Sequence, residues 1–144
     1  MQVSNLLMFT GDAEEAMAFY VTLFPQSRIV SIERYGANEA GEEGSVKQAI
    51  FELCATRYRC IDSPVKHAFT FTPSISLFVD FDSQEQLQAA LTSLSDRGQI
   101  LMPAGSYDFS KYFAWIQDRF GVSWQLNLQH SQISPAEFTA TSVR

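Results

Sequence analysis

The chain has 144 residues, of which 46% are hydrophobic and 13% aromatic, so it is long enough to bury the core of one domain. Sixteen acidic residues stand against ten basic ones, and the formal net charge is −6. Nucleic acid and anionic membranes bind positively charged surfaces, so neither is an expected partner. Because no apolar run is long enough to span a bilayer and the first residues lack the basic stretch of an export signal, we expect a cytoplasmic protein.

The first half of the chain begins with a strand and a helix. Residues 4–10 predict a buried strand, and apolar residues at helical spacing predict a helix over residues 13–24 that ends at Pro25. Asp12 and Glu15 have the spacing of a capping box at the start of that helix. Three further strands are predicted over residues 28–35, 46–53 and 58–62.

The second half repeats this order after a connector at residues 64–73, which begins and ends with a proline. A strand is predicted over residues 74–81, and a helix follows Asp82, again with a Glu three residues later. Gly98 suits the left-handed residue that often follows a helix. Three strands are predicted over residues 99–102, 112–117 and 122–129.

The two helix starts, Asp12 and Asp82, lie seventy residues apart, which indicates a duplicated supersecondary unit. We therefore predict a single α+β domain over residues 1–144, built from two βαβββ modules at about 3–63 and 74–129. Two curved sheets of this kind are expected to surround a cleft. A tail over residues 130–144 is predicted to contain a short helix starting at Ser134.

Side-chain patterns add three local predictions. In the last strand Trp124 and its alternate neighbours form an apolar face, while Gln125 lies on a polar face that meets either a cavity or water. Gly121 is expected to take a positive φ at the preceding hairpin corner. Cys54 and Cys60 are interpreted as small core residues.

Three segments resemble the PhnB-like branch of the vicinal-oxygen-chelate superfamily, which includes glyoxalases, bleomycin-resistance proteins and dioxygenases. They are residues 6–25 (LLMFxGDAEEAMxFYxxLFP), 67–79 (HxFxFTPxISLFV) and 115–126 (WxxDRFGVSWQL). The resemblance implies a small-molecule ligand in the cleft and a homodimer. Members are often labelled 3-demethylubiquinone-9 3-methyltransferase-like, but the chain lacks the glycine-rich turn of a nucleotide-type cofactor site, and no cofactor is expected.

Metal-using members of the superfamily take their ligands from the first, fourth, fifth and eighth strands. Carried over to this sequence, those places are Asn5, Asp62 or its neighbour Cys60, Ser74 or Ser76, and Gln125. Only Gln125 has the family spacing, after Asp118 and Gly121. Amide and hydroxyl oxygens are weak neutral ligands for a divalent ion, so we expect these residues to bind a ligand without a tight catalytic metal. The alternative is a metal-dependent lyase or dioxygenase of the same superfamily.

His67 is the candidate general base if a reaction takes place, and the other interpretation is an ordinary connector histidine. The segment 107–111 is predicted to be a loop that closes over the site. Whether the ligand is turned over or only sequestered stays open in the sequence. Aromatic residues expected to border the cleft are Phe69, Phe71, Phe78, Tyr107, Phe109, Phe113, Trp115 and Trp124.

Overall fold

The computed structural model describes residues 1–129, and the helix predicted from Ser134 lies outside them. The chain forms two compact units, Met1–Phe71 and a second that begins at Thr72, so their boundary falls in the predicted connector. The predicted α+β class and the βαβββ repeat are confirmed. The elements are β1 (Asn5–Phe9), α1 (Ala13–Leu23), β2 (Arg28–Arg34), β3 (Val46–Leu53), β4 (Thr56–Asp62), β5 (Ser76–Phe81), α2 (Gln84–Ser95), β6 (Gln99–Tyr107), β7 (Ser110–Gln117) and β8 (Ser123–Leu128).

The first unit is an open four-stranded sheet with strand order β1-β4-β3-β2, in which β1 runs parallel to β4 and the other pairs are antiparallel. Helix α1 packs on one face of this sheet, mainly on β3. Met17 and Tyr20 of the helix are fully buried, as are Phe51 and Cys60 of the sheet. This apolar contact is what the helical spacing of the sequence predicts.

The capping box predicted at the start of α1 is wrong. Asp12 has φ −100° and ψ 6°, outside the extended region in which a capping side chain folds over the first turn, and it makes no capping hydrogen bond. The amides of Gly11 and Ala13 instead donate to Oδ1 of Asp62, at 2.8 and 3.0 Å, and the amide of Val46 donates to Oδ2 at 2.9 Å. A carboxylate some fifty residues along the chain therefore holds this helix start, because β4 lies beside β1.

The second unit repeats the arrangement, with strand order β5-β8-β7-β6 and β5 parallel to β8. Helix α2 packs on β7, β8 and β5. Ile116, Trp124 and Leu126 are buried in this core. The helix is capped by Ser83, whose Oγ accepts a hydrogen bond from the amide of Gln86 at 3.2 Å, so the cap predicted at Asp82 is wrong by one residue.

The connection from α2 to β6 also differs from the prediction at Gly98. The left-handed residue there is Arg97, with φ 56°. Gly98 is required for a different reason, because a Cβ on it would lie 2.4 Å from the carbonyl oxygen of Gln117. Gly121 does take the predicted positive φ, at 92°.

Strand β6 continues to Tyr107, five residues beyond its predicted end, and passes through Pro103. β6 is an edge strand, where a residue without an N–H does not interrupt the sheet. The loop predicted over residues 107–111 is consequently a two-residue turn, Asp108 and Phe109, between β6 and β7.

The two cysteines have different environments. Cys60 is buried as predicted, and burial raises its thiol pKa to about 12. Cys54 is exposed, so its prediction as a core residue is wrong. Cys54 and Ala55 have φ of 47° and 64° and form the two-residue turn between β3 and β4, a geometry that matches the twist of a hairpin. No helix in the described part of the chain is long and apolar enough to cross a membrane.

Candidate functional site

Six of the nine site residues predicted from the sequence lie in the second unit, on the face of the sheet opposite α2, which we call the open face. Trp124 and Leu126 of β8 point to the helix, so the alternating Ser123, Gln125 and Asn127 point to the open face. Register then places partners beside them on the neighbouring strands, because paired residues share a face. The six are Ser76, Phe78, Tyr107, Phe109, Trp115 and Gln125.

An aromatic cluster occupies one part of the open face. Phe113 is buried at its centre, with the ring centroids of Phe78, Tyr107 and Phe109 at 6.4, 6.0 and 4.9 Å. Phe78 and Phe109 remain 57% and 64% exposed. Exposed aromatic carbon beside a buried aromatic floor is a surface on which a flat, apolar molecule can pack.

A chain of hydrogen bonds lies beside the cluster. The indole Nε1 of Trp115 donates to Ser123 Oγ at 2.8 Å, and Ser123 Oγ lies 2.7 Å from Ser76 Oγ. The side-chain amide Nε2 of Gln125 donates to Ser76 Oγ at 3.1 Å. Gln125 pairs directly with Phe78 on one side and with Trp115 on the other, so the polar chain borders the aromatic surface.

Burial fixes the direction of these hydrogen bonds. Ser123 is 1% exposed and already accepts from Trp115, so its own hydrogen is satisfied by donation to Ser76. Ser76 then accepts two hydrogen bonds and keeps its own hydrogen as a donor. Gln125 uses an N–H, and its Oε1 accepts nothing from the described residues. The half-buried hydroxyl of Ser76 and carbonyl of Gln125 thus present one donor and one acceptor.

The open face also carries a carboxylate. Asn127 donates through Nδ2 to Asp80 Oδ1 at 2.8 Å, and Ser110 Oγ donates to Asn127 Oδ1. Asp80 is exposed and is two residues from Phe78 on the same strand. A negative charge at this place disfavours an anionic group on a ligand that packs against the cluster.

Of the three site residues predicted in the first unit, Asn5 and Asp62 lie on the face of the first sheet that α1 covers. Asn5 pairs with Tyr58, which alternates with Cys60 and Asp62 on the side of the sheet that α1 covers. Both oxygens of Asp62 accept backbone amides, as described above, and Asn5 is exposed at the strand end. The ligand-binding role of these two residues stays a prediction.

His67, the candidate general base, is exposed in the connector, and its ring stacks on Phe69 at 4.7 Å. Its Nε2 lies 3.1 Å from Ser63 Oγ, which itself donates to the carbonyl of Val65 at 2.7 Å. The hydroxyl hydrogen is therefore used, and Nε2 is the donor to Ser63. No carboxylate within residues 1–129 orients the ring, so a catalytic role for His67 stays a prediction.

The importance of Asp118 was not predicted from the sequence. This residue is 4% exposed, and its Oδ1 accepts the amides of Phe120 and Val122 while Oδ2 accepts the indole of Trp124 at 2.8 Å. Asp118 thus fixes the turn that leads into the strand of Gln125. Trp124 was expected to border a cleft, but it is buried in the core with α2, and that expectation is wrong.

Among residues 1–129 the side chains do not fit a tightly bound divalent metal. Within residues 1–129 no group of three or more His, Cys, Asp or Glu side chains could hold a metal ion. On the open face the polar groups beside the cluster are the neutral Ser76, Gln125 and Asn127 and one carboxylate, Asp80, which already accepts from Asn127. Neutral oxygens bind divalent ions weakly.

Nearly all of the described chain matches a known protein family. Residues 1–127 match the sequence model described as 3-demethylubiquinone-9 3-methyltransferase. The chain belongs to this family. A Bacillus cereus structure described as PhnB protein is 51% identical, with 90% of this chain and 100% of that chain covered and a TM-score of 0.88. The resemblance to the PhnB-like branch is confirmed, while a search of the curated proteins gave no match.

More distant structures share the fold. A Pseudomonas aeruginosa protein is 21% identical with a TM-score of 0.80, over 91% of this chain and 99% of that one. The fosfomycin resistance protein FosX of Listeria monocytogenes is 10% identical with a TM-score of 0.60, over 90% of this chain and 93% of that one. These similarities show the vicinal-oxygen-chelate fold.

The family description names methyl transfer, which needs a bound methyl donor. The turn between β1 and α1 is the strand-to-helix turn at which a nucleotide-type cofactor would bind in a doubly wound fold. Here that turn has one glycine, Gly11, and the amides of Gly11 and Ala13 already donate to Asp62. Because these donors are occupied, the turn does not fit such a cofactor.

Proposed function

We propose that this PhnB-like protein binds a small, flat, uncharged molecule on the open face of its second sheet, without a tight catalytic metal. The observation that carries the proposal is the exposure of Phe78 and Phe109, whose rings both pack on the buried Phe113. Phe78 also pairs directly with Gln125, whose acceptor lies beside the donor of Ser76. An aromatic ligand with one hydroxyl group matches this surface, because a hydroxyl both donates and accepts hydrogen bonds.

The charges of the surface support an uncharged ligand. Asp80 lies two residues from Phe78, and the protein as a whole carries a formal charge of −6. A carboxylate or phosphate placed on the cluster would be repelled by Asp80, whereas a neutral phenol would not.

The test compares 2-naphthol with naphthalene, which has the same two rings and no hydroxyl group. Binding to the uniformly labelled protein is followed through the NMR signal of the Trp115 indole, because that indole is part of the hydrogen-bonded chain. We expect 2-naphthol to bind several-fold more tightly, since one net hydrogen bond contributes about 1 kcal/mol.

Two variants separate the apolar and polar contributions. Phe109→Ala should weaken both probes, while Gln125→Ala should weaken 2-naphthol down to the affinity of naphthalene. Ile100→Ala is the control, because Ile100 is an apolar residue that is 52% exposed and pairs with Ile116 on the α2 side of the same sheet. If Ile100→Ala weakens binding as much as Phe109→Ala, or if the two probes bind equally, the open face is not the binding site.

The same site would serve an enzyme or a sequestering protein. A bound ligand that is recovered unchanged, at one per site, supports sequestration, and a changed product supports catalysis. Metal content measured on protein purified without chelator tests the metal-dependent alternative, since a stoichiometric ion lost in Gln125→Ala would contradict metal-free binding.

We also infer a cytoplasmic homodimer. β1 and β5 are edge strands of their own sheets, and Leu6 on β1 is 53% exposed, so unpaired backbone and apolar side chains are available to a second copy. Light scattering coupled to size-exclusion chromatography should give twice the mass of the chain, and a monomer at micromolar concentration would contradict the dimer.

A further inference from the structure

The face of the first sheet opposite α1 carries three arginines and one central glutamate. Arg28 Nε lies 3.4 Å from Oε2 of Glu52, and Arg57 Nη2 lies 3.4 Å from Oε1. Both oxygens of Glu52 are therefore shared with these two arginines. Arg59, two residues farther along β4 than Arg57, lies on the same face.

Arg59 is held between apolar neighbours. Strand register pairs it with Leu6 of β1 and with Ile50 of β3, while the next residue, Cys60, is buried on the α1 side. Arg59 is half-buried, and its side chain makes no hydrogen bond or ion pair with residues 1–129. The guanidinium nitrogens of Arg59 are not among the buried unpaired atoms of the described chain, so they reach solvent. Their donors are therefore available to the acceptor oxygens of a ligand.

Glu33, an acidic side chain near this face, does not form an ion pair with Arg59. Glu33 of β2 lies 3.9 Å from the ammonium of Lys47. The chain has sixteen acidic residues for ten basic ones, yet the face around Arg59 carries three arginines and Glu52, whose two oxygens already contact Arg28 and Arg57. The local charge thus favours an anion, in contrast to the open face of the second sheet.

We propose that Arg59 is the anchor of a binding site for the oxyanion group of a small organic molecule. The planar guanidinium offers paired N–H donors whose geometry matches two oxygens of a carboxylate or phosphate group. Leu6 and Ile50, on either side, contact the apolar part of the same molecule, and Arg57 adds attraction at longer range. This proposal does not depend on the function proposed above, because it concerns other residues and the opposite ligand charge.

The test uses the full chain with labelled arginine side chains and follows the Nε–H signal of Arg59 by NMR. Three probes are titrated at matched ionic strength: benzoate, its neutral analogue benzamide, and inorganic phosphate. We expect saturable shifts of Arg59 with benzoate or phosphate and none with benzamide. Binding of benzoate alone identifies a carboxylate site with an apolar contact, and binding of phosphate alone identifies a phosphate site.

Variants distinguish a specific site from general attraction. Arg59→Gln should abolish saturable binding, and Arg59→Lys, which keeps the charge but loses the paired donors, should weaken it about tenfold. Arg97→Gln removes the same charge from the turn after α2 and should change nothing. Unsaturable shifts, equal shifts of Arg59 and Arg97, or unchanged binding in Arg59→Gln would each overturn the proposal, and circular dichroism confirms that every variant is folded.

Discussion

Replacement of Asp62 by alanine tests whether this remote carboxylate holds the first unit together. Its two oxygens accept the amides of Gly11, Ala13 and Val46, and the side chain is buried. Without the carboxylate the start of α1 and the start of β3 lose their shared acceptor at once. The loss leaves three backbone donors to be satisfied by water or not at all.

A hydrogen bond to a charged group contributes roughly 1.5 to 3 kcal/mol, so three independent bonds would sum to roughly 4.5 to 9 kcal/mol. The expected loss in Asp62→Ala is smaller, about 3 to 5 kcal/mol, because water enters the space of the removed carboxyl group and one carboxylate shares its charge among the three donors. Domains are commonly stable by only about 5 to 15 kcal/mol, so a loss of stability of this size in Asp62→Ala would be plainly measurable.

The assay is urea unfolding followed by far-ultraviolet circular dichroism. Both tryptophans, Trp115 and Trp124, lie in the second unit, so their fluorescence alone would not report on the first. Amide hydrogen exchange adds a local measurement, in which protection at Ala16 of the first helical turn should fall in Asp62→Ala.

Asp12→Ala is the control, because Asp12 is the cap that the sequence predicts and the structure does not use. An exposed residue without a side-chain hydrogen bond should change stability by less than about 0.5 kcal/mol. If Asp12→Ala costs as much as Asp62→Ala, the assignment of the helix cap to Asp62 is refuted.

Four further predictions concern individual side chains. Asp118→Ala should destabilise the second unit by about 2 to 4 kcal/mol and shift tryptophan emission to longer wavelength, since three donors, two of them in buried hydrogen bonds, lose their acceptor. Unchanged emission would contradict this anchoring role. Gly98→Ala should lower the urea midpoint strongly, because the new Cβ would lie 2.4 Å from a carbonyl oxygen of β7. Gly105→Ala is the control and should not lower it, because a Cβ on Gly105 would have no atom within 4 Å. Equal midpoints for the two variants would argue against the close approach at Gly98. A thiol reagent at pH 8 should label Cys54 in the native protein and both thiols in denaturant. Burial raises the Cys60 pKa from 9.0 to about 12, so the thiol of the unfolded chain ionises before that of the folded chain. The contribution of the neutral thiol to stability is therefore complete below pH 9 and is lost as the pH rises toward 12. If Cys60→Ala loses as much stability over that pH range, this assignment to Cys60 is wrong.

The fold could be predicted because its signals are local. Apolar residues recur every three or four positions in the two helices and alternate in the strands, and both patterns persist through the duplicated modules. The β3 bounds and the positive φ of Gly121 were predicted correctly for this reason. The family could be recognised because its motifs are contiguous segments, which are visible directly in the sequence.

Element ends were less predictable because tertiary contacts decide them. Pro103 marks a strand end in the sequence, but an edge position lets β6 continue through it. Gly98 carries the usual signal of a helix end, yet the close approach of β7 is what requires it. In both cases a neighbouring strand, invisible to local patterns, determined the outcome.

The sequence by itself determined the residue types of the candidate site and the alternation that aims Gln125 away from Trp124. Only the tertiary structure decided which of those residues meet, because Ser76, Trp115 and Ser123 are brought together by strand register across large sequence separations. The same physical reason explains why Asp62 caps a helix. Its carboxylate is of the kind that binds ligands, but its position in the fold places it against the backbone amides at the start of α1. A side chain's chemistry is local, whereas the donors and acceptors that satisfy it are chosen by the packing of distant strands.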